Sequence, residues 1–155
     1  MRMHHAGNSL PCACTTIRKA SRALSRIYDE ALAPAGLTVA QLGVLRAIDR
    51  GAKDGEPLSR LAETLVMDRT SLYRALGPMA RSGWLLIKDA PKGHAKVVQL
   101  SKAGTRITAG AAEYWERAQS RVIGEFGIDR WATLQKAMSD LTALGVRLGE
   151  DRTCR

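Results

Sequence analysis

A mainly α chain with a small β-hairpin wing is predicted by three observations. The pattern is a winged helix-turn-helix framed by long N- and C-terminal helices. Alanine and leucine are abundant while aromatics make up only 5% of the 155 residues, which favours helix over sandwich or barrel. Apolar residues recur at three- and four-residue steps near both ends of the chain. Between those ends, two short helical patterns joined by a tight turn run into two short apolar stretches separated by a lysine-bearing loop.

The elements follow in order. Residues 1–11, with His4, His5, Gly7, Asn8 and Pro11, form a disordered lead-in. From Cys12 a long helix carries Ile17, Ala20, Leu24, Ile27 and Ala31 on one seam, and Pro34 with Gly36 ends it. Thr38 is the N-cap of a helix over 39–49 that buries Leu42, Leu45 and Ile48. After a polar loop over 51–56, Pro57 suits the first turn of a third helix with Leu58, Leu61, Ala62 and Leu65 inward.

Val66 and Met67 turn the chain, and Asp68 caps a helix over 69–81. Leu72, Leu76, Met79 and Ala80 face inward there, and Pro78 is expected to kink the last turn. Gly83 suits the C-terminal cap. Residues 84–88 and 96–100 are the two strands of the hairpin. Ser101 caps one long helix to about residue 124, and a last helix over 128–148 places Trp131, Leu134, Met138, Leu141, Gly145 and Leu148 at heptad-like steps.

Size and composition narrow the function. A hydrophobic content of 45% over 155 residues suits one globular domain with a sizeable core. No run approaches the roughly 20 apolar residues of a membrane span, and the first eleven residues lack the apolar stretch of a signal peptide, so a cytoplasmic protein is expected. Three cysteines, Cys12, Cys14 and Cys154, do not make the dense even framework of a secreted domain. Phosphate loops, His-Glu-x-x-His and paired acids are missing, so no enzymatic role and no cofactor are expected. His4, His5, Cys12 and Cys14 lack the second ligand pair of usual zinc sites, so no metal is expected either.

The net charge of +9 is concentrated. Residues 69–102 hold Arg69, Arg74, Arg81, Lys88, Lys92, Lys96 and Lys102 against Asp89 alone, an excess of +6 in 34 residues. A patch of that density on a helix-turn-helix and a hairpin implies duplex DNA as partner. A helix fits the major groove, so Ser71, Tyr73 and Arg74 are candidate base readers, with Arg69 at the helix start beside phosphate and Thr70 able to bond a phosphate or a base. Lys92, His94 and Lys96 on the hairpin face the flanking minor groove or backbone. Two orientations are open to Tyr73, outward or packed. Arg81 suits a helix-dipole role, and Lys88 and Lys102 fit ordinary surface positions. The competing class is a winged-helix module that binds protein without DNA; its mark is an apolar recognition helix, against which Thr70, Ser71 and Arg74 speak.

Taken in order, these residues resemble the MarR family of bacterial winged-helix regulators. The resemblance runs through Gly36-Leu37-Thr38 with Gln41-Leu42, then Leu61-Ala62, Leu65, Asp68-Arg69-Thr70, Arg74 and Leu76. It continues through Gly83-Trp84-Leu85 and Leu100-Ser101-Lys102-Ala103-Gly104. It covers residues 12–150 as one domain, with 37–104 as the winged helix-turn-helix and 12–36 and 105–150 as dimerisation helices. It implies a homodimer on a palindromic operator, usually a repressor released by a small, often aromatic, effector. One branch of the family senses peroxides through a cysteine near the start of the first helix. Cys12 and Cys14 are therefore candidate redox residues, with Cys154 able to approach them in a partner. The wing departs from the pattern: Lys92, Gly93 and His94 replace a common Asp-Arg-Arg run, so the usual wing arginine has no counterpart here.

Overall fold

The computed structural model describes residues 10–90 and 95–150. The apolar spacing after Cys12 produces helix α1, Ala13–Leu32, which a 3-10 turn over Ala33–Ala35 closes at Gly36 (φ +70°). Thr38 then starts α2, Val39–Asp49, with a full capping box: its hydroxyl accepts from the Gln41 N–H, and the Gln41 side chain accepts from the Thr38 N–H. Helices α3 (Leu58–Leu65) and α4 (Arg69–Arg81) follow, and then strands β2 (Leu85–Asp89) and β3 (Lys96–Leu100). Pro78 lies inside α4, which continues through it to Arg81.

The sheet has three strands where the sequence predicts two. Glu56–Pro57 forms a short β1 that pairs antiparallel with β3, in the order β1-β3-β2. Proline is tolerated because β1 is an edge. Glu56 is only 6% exposed, and its carboxylate accepts from the Ala52 N–H at 3.0 Å and faces Arg60 at 3.7 Å. Those partners hold a charged residue where a polar loop was expected. A Cβ at Gly51 would crowd the Glu56 side chain, so any larger residue there would force that side chain to shift.

The helix expected from Ser101 to about residue 124 is divided. Ser101 caps α5 (Lys102–Gly110), Ala111 forms the junction, and α6 runs Ala112–Phe126. Hydrogen bonds from Ala111 N–H to Ile107 and from Trp115 N–H to the Ala111 carbonyl carry the ladder across the junction. Ala111 is fully buried, so the junction is packed and not frayed. Gly127 (φ +100°) turns the chain into α7, Ile128–Glu150.

Leu32, Leu42, Leu45, Leu61, Leu72, Leu76, Met79 and Val98 are the fully buried large side chains. They come from the end of α1, from α2, α3, α4 and β3, so one core lies beneath the helix-turn-helix and the sheet. Each such side chain contributes on the order of 1.5–3 kcal/mol relative to exposure. The outer helices differ: α1 is exposed over its first three turns, and α7 exposes Leu134, Leu141, Leu144, Val146 and Leu148. Ile17, Ala20, Leu24, Tyr28, Trp131, Leu134 and Met138 line an apolar groove of about 440 Å³ between them.

Besides the packing of Leu32, Ala111, Tyr114 and Trp115 against the core, two polar links join this outer layer to it. The Arg46 guanidinium of α2 stacks 4.0 Å above the Trp115 ring of α6. The Val39 N–H donates to Asp29 of α1 at 2.7 Å. Within the outer layer, the Tyr28 hydroxyl of α1 donates to Gln119 of α6.

Candidate nucleic-acid interface

The turn between α3 and α4 sets the site. Val66 adopts a left-handed conformation (φ 52°, ψ 45°), which ends α3 and directs its N–H to the Glu63 carbonyl. The Met67 N–H returns to the Ala62 carbonyl at 2.9 Å. Asp68 then caps α4 through two bonds to one residue. Its Oδ1 accepts from the Ser71 N–H at 2.8 Å, and its Oδ2 accepts from the Ser71 hydroxyl at 2.6 Å. Those bonds, the hydroxyl's first, hold the Asp68 carboxyl below its ordinary pKa.

Helix α4 is amphipathic at the spacing the sequence predicts. Leu72, Leu76 and Met79 are buried, while Arg69, Thr70, Ser71, Tyr73 and Arg74 are exposed. Tyr73 is 40% exposed and is not packed into the core. Arg69 and Tyr73 share a cleft of about 270 Å³ with Leu58, Ser59 and Ala62 of α3 and with Ala95 and Lys96 at the hairpin. The structure thus brings Lys96 together with Arg69 and Tyr73, from which it lies 27 and 23 positions away in the chain. Ser59 enters this cleft unforeseen; its signal was its place on the polar side of α3, two residues after Pro57.

The hairpin presents less free charge than a count of lysines implies. Lys96 pairs with Asp89 across the β2–β3 ladder at 2.6 Å, and that carboxylate raises the lysine's pKa. Both partners are exposed, so the pair is weak and open to exchange for a phosphate. Lys88 donates to Gln99 at 3.4 Å, and Gln99 donates to the Lys53 carbonyl, tying the sheet to the loop after α2. Arg81 and Lys102 are exposed. Lys92 and His94 of the predicted interface, and Cys154 of the candidate redox set, lie outside the described residues.

Cys12 and Cys14 are exposed thiols at the start of α1. The hydroxyl and backbone N–H of Thr15 lower the Cys12 pKa. No group of three His, Cys, Asp or Glu side chains among the described residues is placed to hold a metal. No single helix among them is long and apolar enough to cross a membrane.

No family model matches the chain, and no curated protein matches it. Solved structures do. The transcriptional regulator MosR of M. tuberculosis in complex with DNA aligns at a TM-score of 0.79 and 29% identity, over 88% of this chain and 97% of MosR. A second MosR structure aligns at 0.75 with the same identity and coverage. A mutant MarR of E. coli complexed with operator DNA aligns at 0.73 and 22% identity, over 83% of this chain and 91% of MarR. That likeness concerns the fold. These neighbours are MarR-family transcriptional regulators.

Proposed function

We propose that this chain, which has the fold of the MarR-family transcriptional regulators, is a sequence-specific double-stranded DNA-binding transcription regulator without enzymatic activity. The observation that carries the reading is the exposed face of α4. Arg69, Thr70, Ser71, Tyr73 and Arg74 stand on it in the helix that follows the turn, opposite a fully buried Leu72 and Leu76. A helix in that position reads a major groove, and Lys92, His94 and Lys96 of the wing engage the flanking backbone. An apolar α4 face would instead suit a protein partner, and this face is polar.

The chain works as a homodimer on a palindromic operator. Residues 37–104 form the reading unit, and residues 12–36 and 105–150 the pairing helices. Exposed Ile17 and Ile27 of α1 and the leucines of α7 support that pairing, because a monomer leaves them in water. It acts as a cytoplasmic repressor, released by a small effector or by thiol oxidation. The apolar groove between α1 and α7 supports an effector, and the exposed Cys12 with its lowered pKa supports oxidation.

Selection of bound sequences from a random duplex pool, with and without oxidant, tests the whole reading. A palindrome with half-sites about one helical turn apart is the expected result. A chain that ignores duplexes even at low salt would remove it.

A further inference from the structure

Ser71 of α4 is exposed, and the direction of its hydroxyl proton is set by a neighbour inside the protein. The Asp68 Oδ2 lies 2.6 Å from the Ser71 Oγ. An ionised carboxylate can only accept, so the hydroxyl proton points at Asp68. The spacing is that of a charge-assisted bond, stronger than one between neutral groups. The second bond, from the Ser71 N–H to Oδ1 at 2.8 Å, keeps the carboxylate from swinging away. What Ser71 presents outward is therefore its lone pairs.

We infer that Ser71 reads DNA as a hydrogen-bond acceptor and selects an exocyclic amino group, adenine N6 or cytosine N4, in the major groove. This rests on the reading of the chain as a DNA-binding regulator. In that groove only those two groups donate; guanine O6 and N7, thymine O4 and adenine N7 all accept. Phosphate oxygens accept as well, so Ser71 is not a backbone contact. The negative charge of Asp68 beside it disfavours close approach of a phosphate at this point. Asp68 is thus a positioning residue: it caps the helix and sets the polarity of the side chain that reads the base.

The test is sequence selection from a random duplex pool with the full-length wild type and with Ser71→Ala, Ser71→Thr and Asp68→Asn, each first checked for a native-like thermal melt. Wild type should enrich a site in which one position per half-site is restricted to adenine or cytosine. Ser71→Ala should lose that restriction, keep the rest of the site, and bind it about tenfold more weakly. Ser71→Thr, which keeps the hydroxyl, should keep the restriction. In Asp68→Asn the amide oxygen still caps the Ser71 N–H while its NH2 donates to the Ser71 Oγ. The hydroxyl proton is then free, and guanine or thymine should be admitted at the same position.

A selected site that Ser71→Ala leaves unaltered at every position overturns the inference and leaves the regulator reading standing. So does an adenine-or-cytosine restriction that survives Asp68→Asn. A wild-type pool with no enrichment overturns both together.

Discussion

Gly104 and Arg74 show how differently single residues are constrained. The Ser101 hydroxyl donates to the Gly83 carbonyl at 2.6 Å and accepts from the Gly104 N–H at 3.0 Å, so α5 starts pressed against the entry to β2. A Cβ at Gly104 would overlap the Trp84 carbonyl. Backbone cannot yield as a side chain does, so Gly104→Ala should cost about 1–3 kcal/mol, seen as a fall of several degrees in Tm. Arg74 bears no such packing demand. Arg74→Ala should leave Tm unchanged and weaken the selected site about tenfold or more, with little effect on random duplex. Equal loss on both would make it a phosphate contact. At this scale the sequence was readable for residue type and face, as Thr38, Asp68 and Ser101 show at their caps. The Asp68–Ser71 hydroxyl bond and the Arg69–Tyr73–Lys96 cleft were not, because they depend on rotamers and on a strand distant in the chain.

Among the elements, helices with strong apolar periodicity and clear caps were legible nearly to the residue: α2 and α4 run as their spacing predicts. Strand β1 was not, since two residues carry no alternation and one is proline, which cannot donate to a ladder. The division at Ala111 was hidden because helical spacing continues through a residue that merely packs tightly. The turn between α3 and α4 was legible as a turn but not as a strained one. A β-branched residue in the left-handed region costs roughly 1–2 kcal/mol. Val66 is 58% exposed, so little packing offsets that cost. Val66→Gly relieves the strain at an entropic cost of roughly 0.5–1 kcal/mol, leaving a net gain on the order of 0.5 kcal/mol. The midpoint of chemical denaturation should rise with the slope unchanged. A lower midpoint would mean that the isopropyl group makes a stabilising contact worth more than the strain.

At the scale of the whole molecule, most exposed leucines lie on α7, while the basic excess lies on α4 and the hairpin, which also exposes Leu86 and Ile87 of β2. That arrangement was visible in the chain, but which seams close within one copy was not, because helical spacing is the same for core and interface. Leu141 is 37% exposed on α7. Leu141→Glu should retain the helical circular dichroism and sediment as a monomer at micromolar concentration. Its affinity for a palindrome should drop by roughly a hundredfold or more as two-site engagement is lost. A variant that still sediments as a dimer would move the interface away from this stretch of α7.

Trp115, beneath the Arg46 guanidinium, sits between α2 and α6. An indole's emission responds to a cation poised above its ring, so sliding α2 along α6 by an ångström or so alters the colour and yield of that light. The molecule carries an optical gauge at the seam between its two parts. Titrating effector, oxidant or duplex with Trp84 and Trp131 replaced by phenylalanine, so that Trp115 alone emits, would report their mechanical coupling with no label attached.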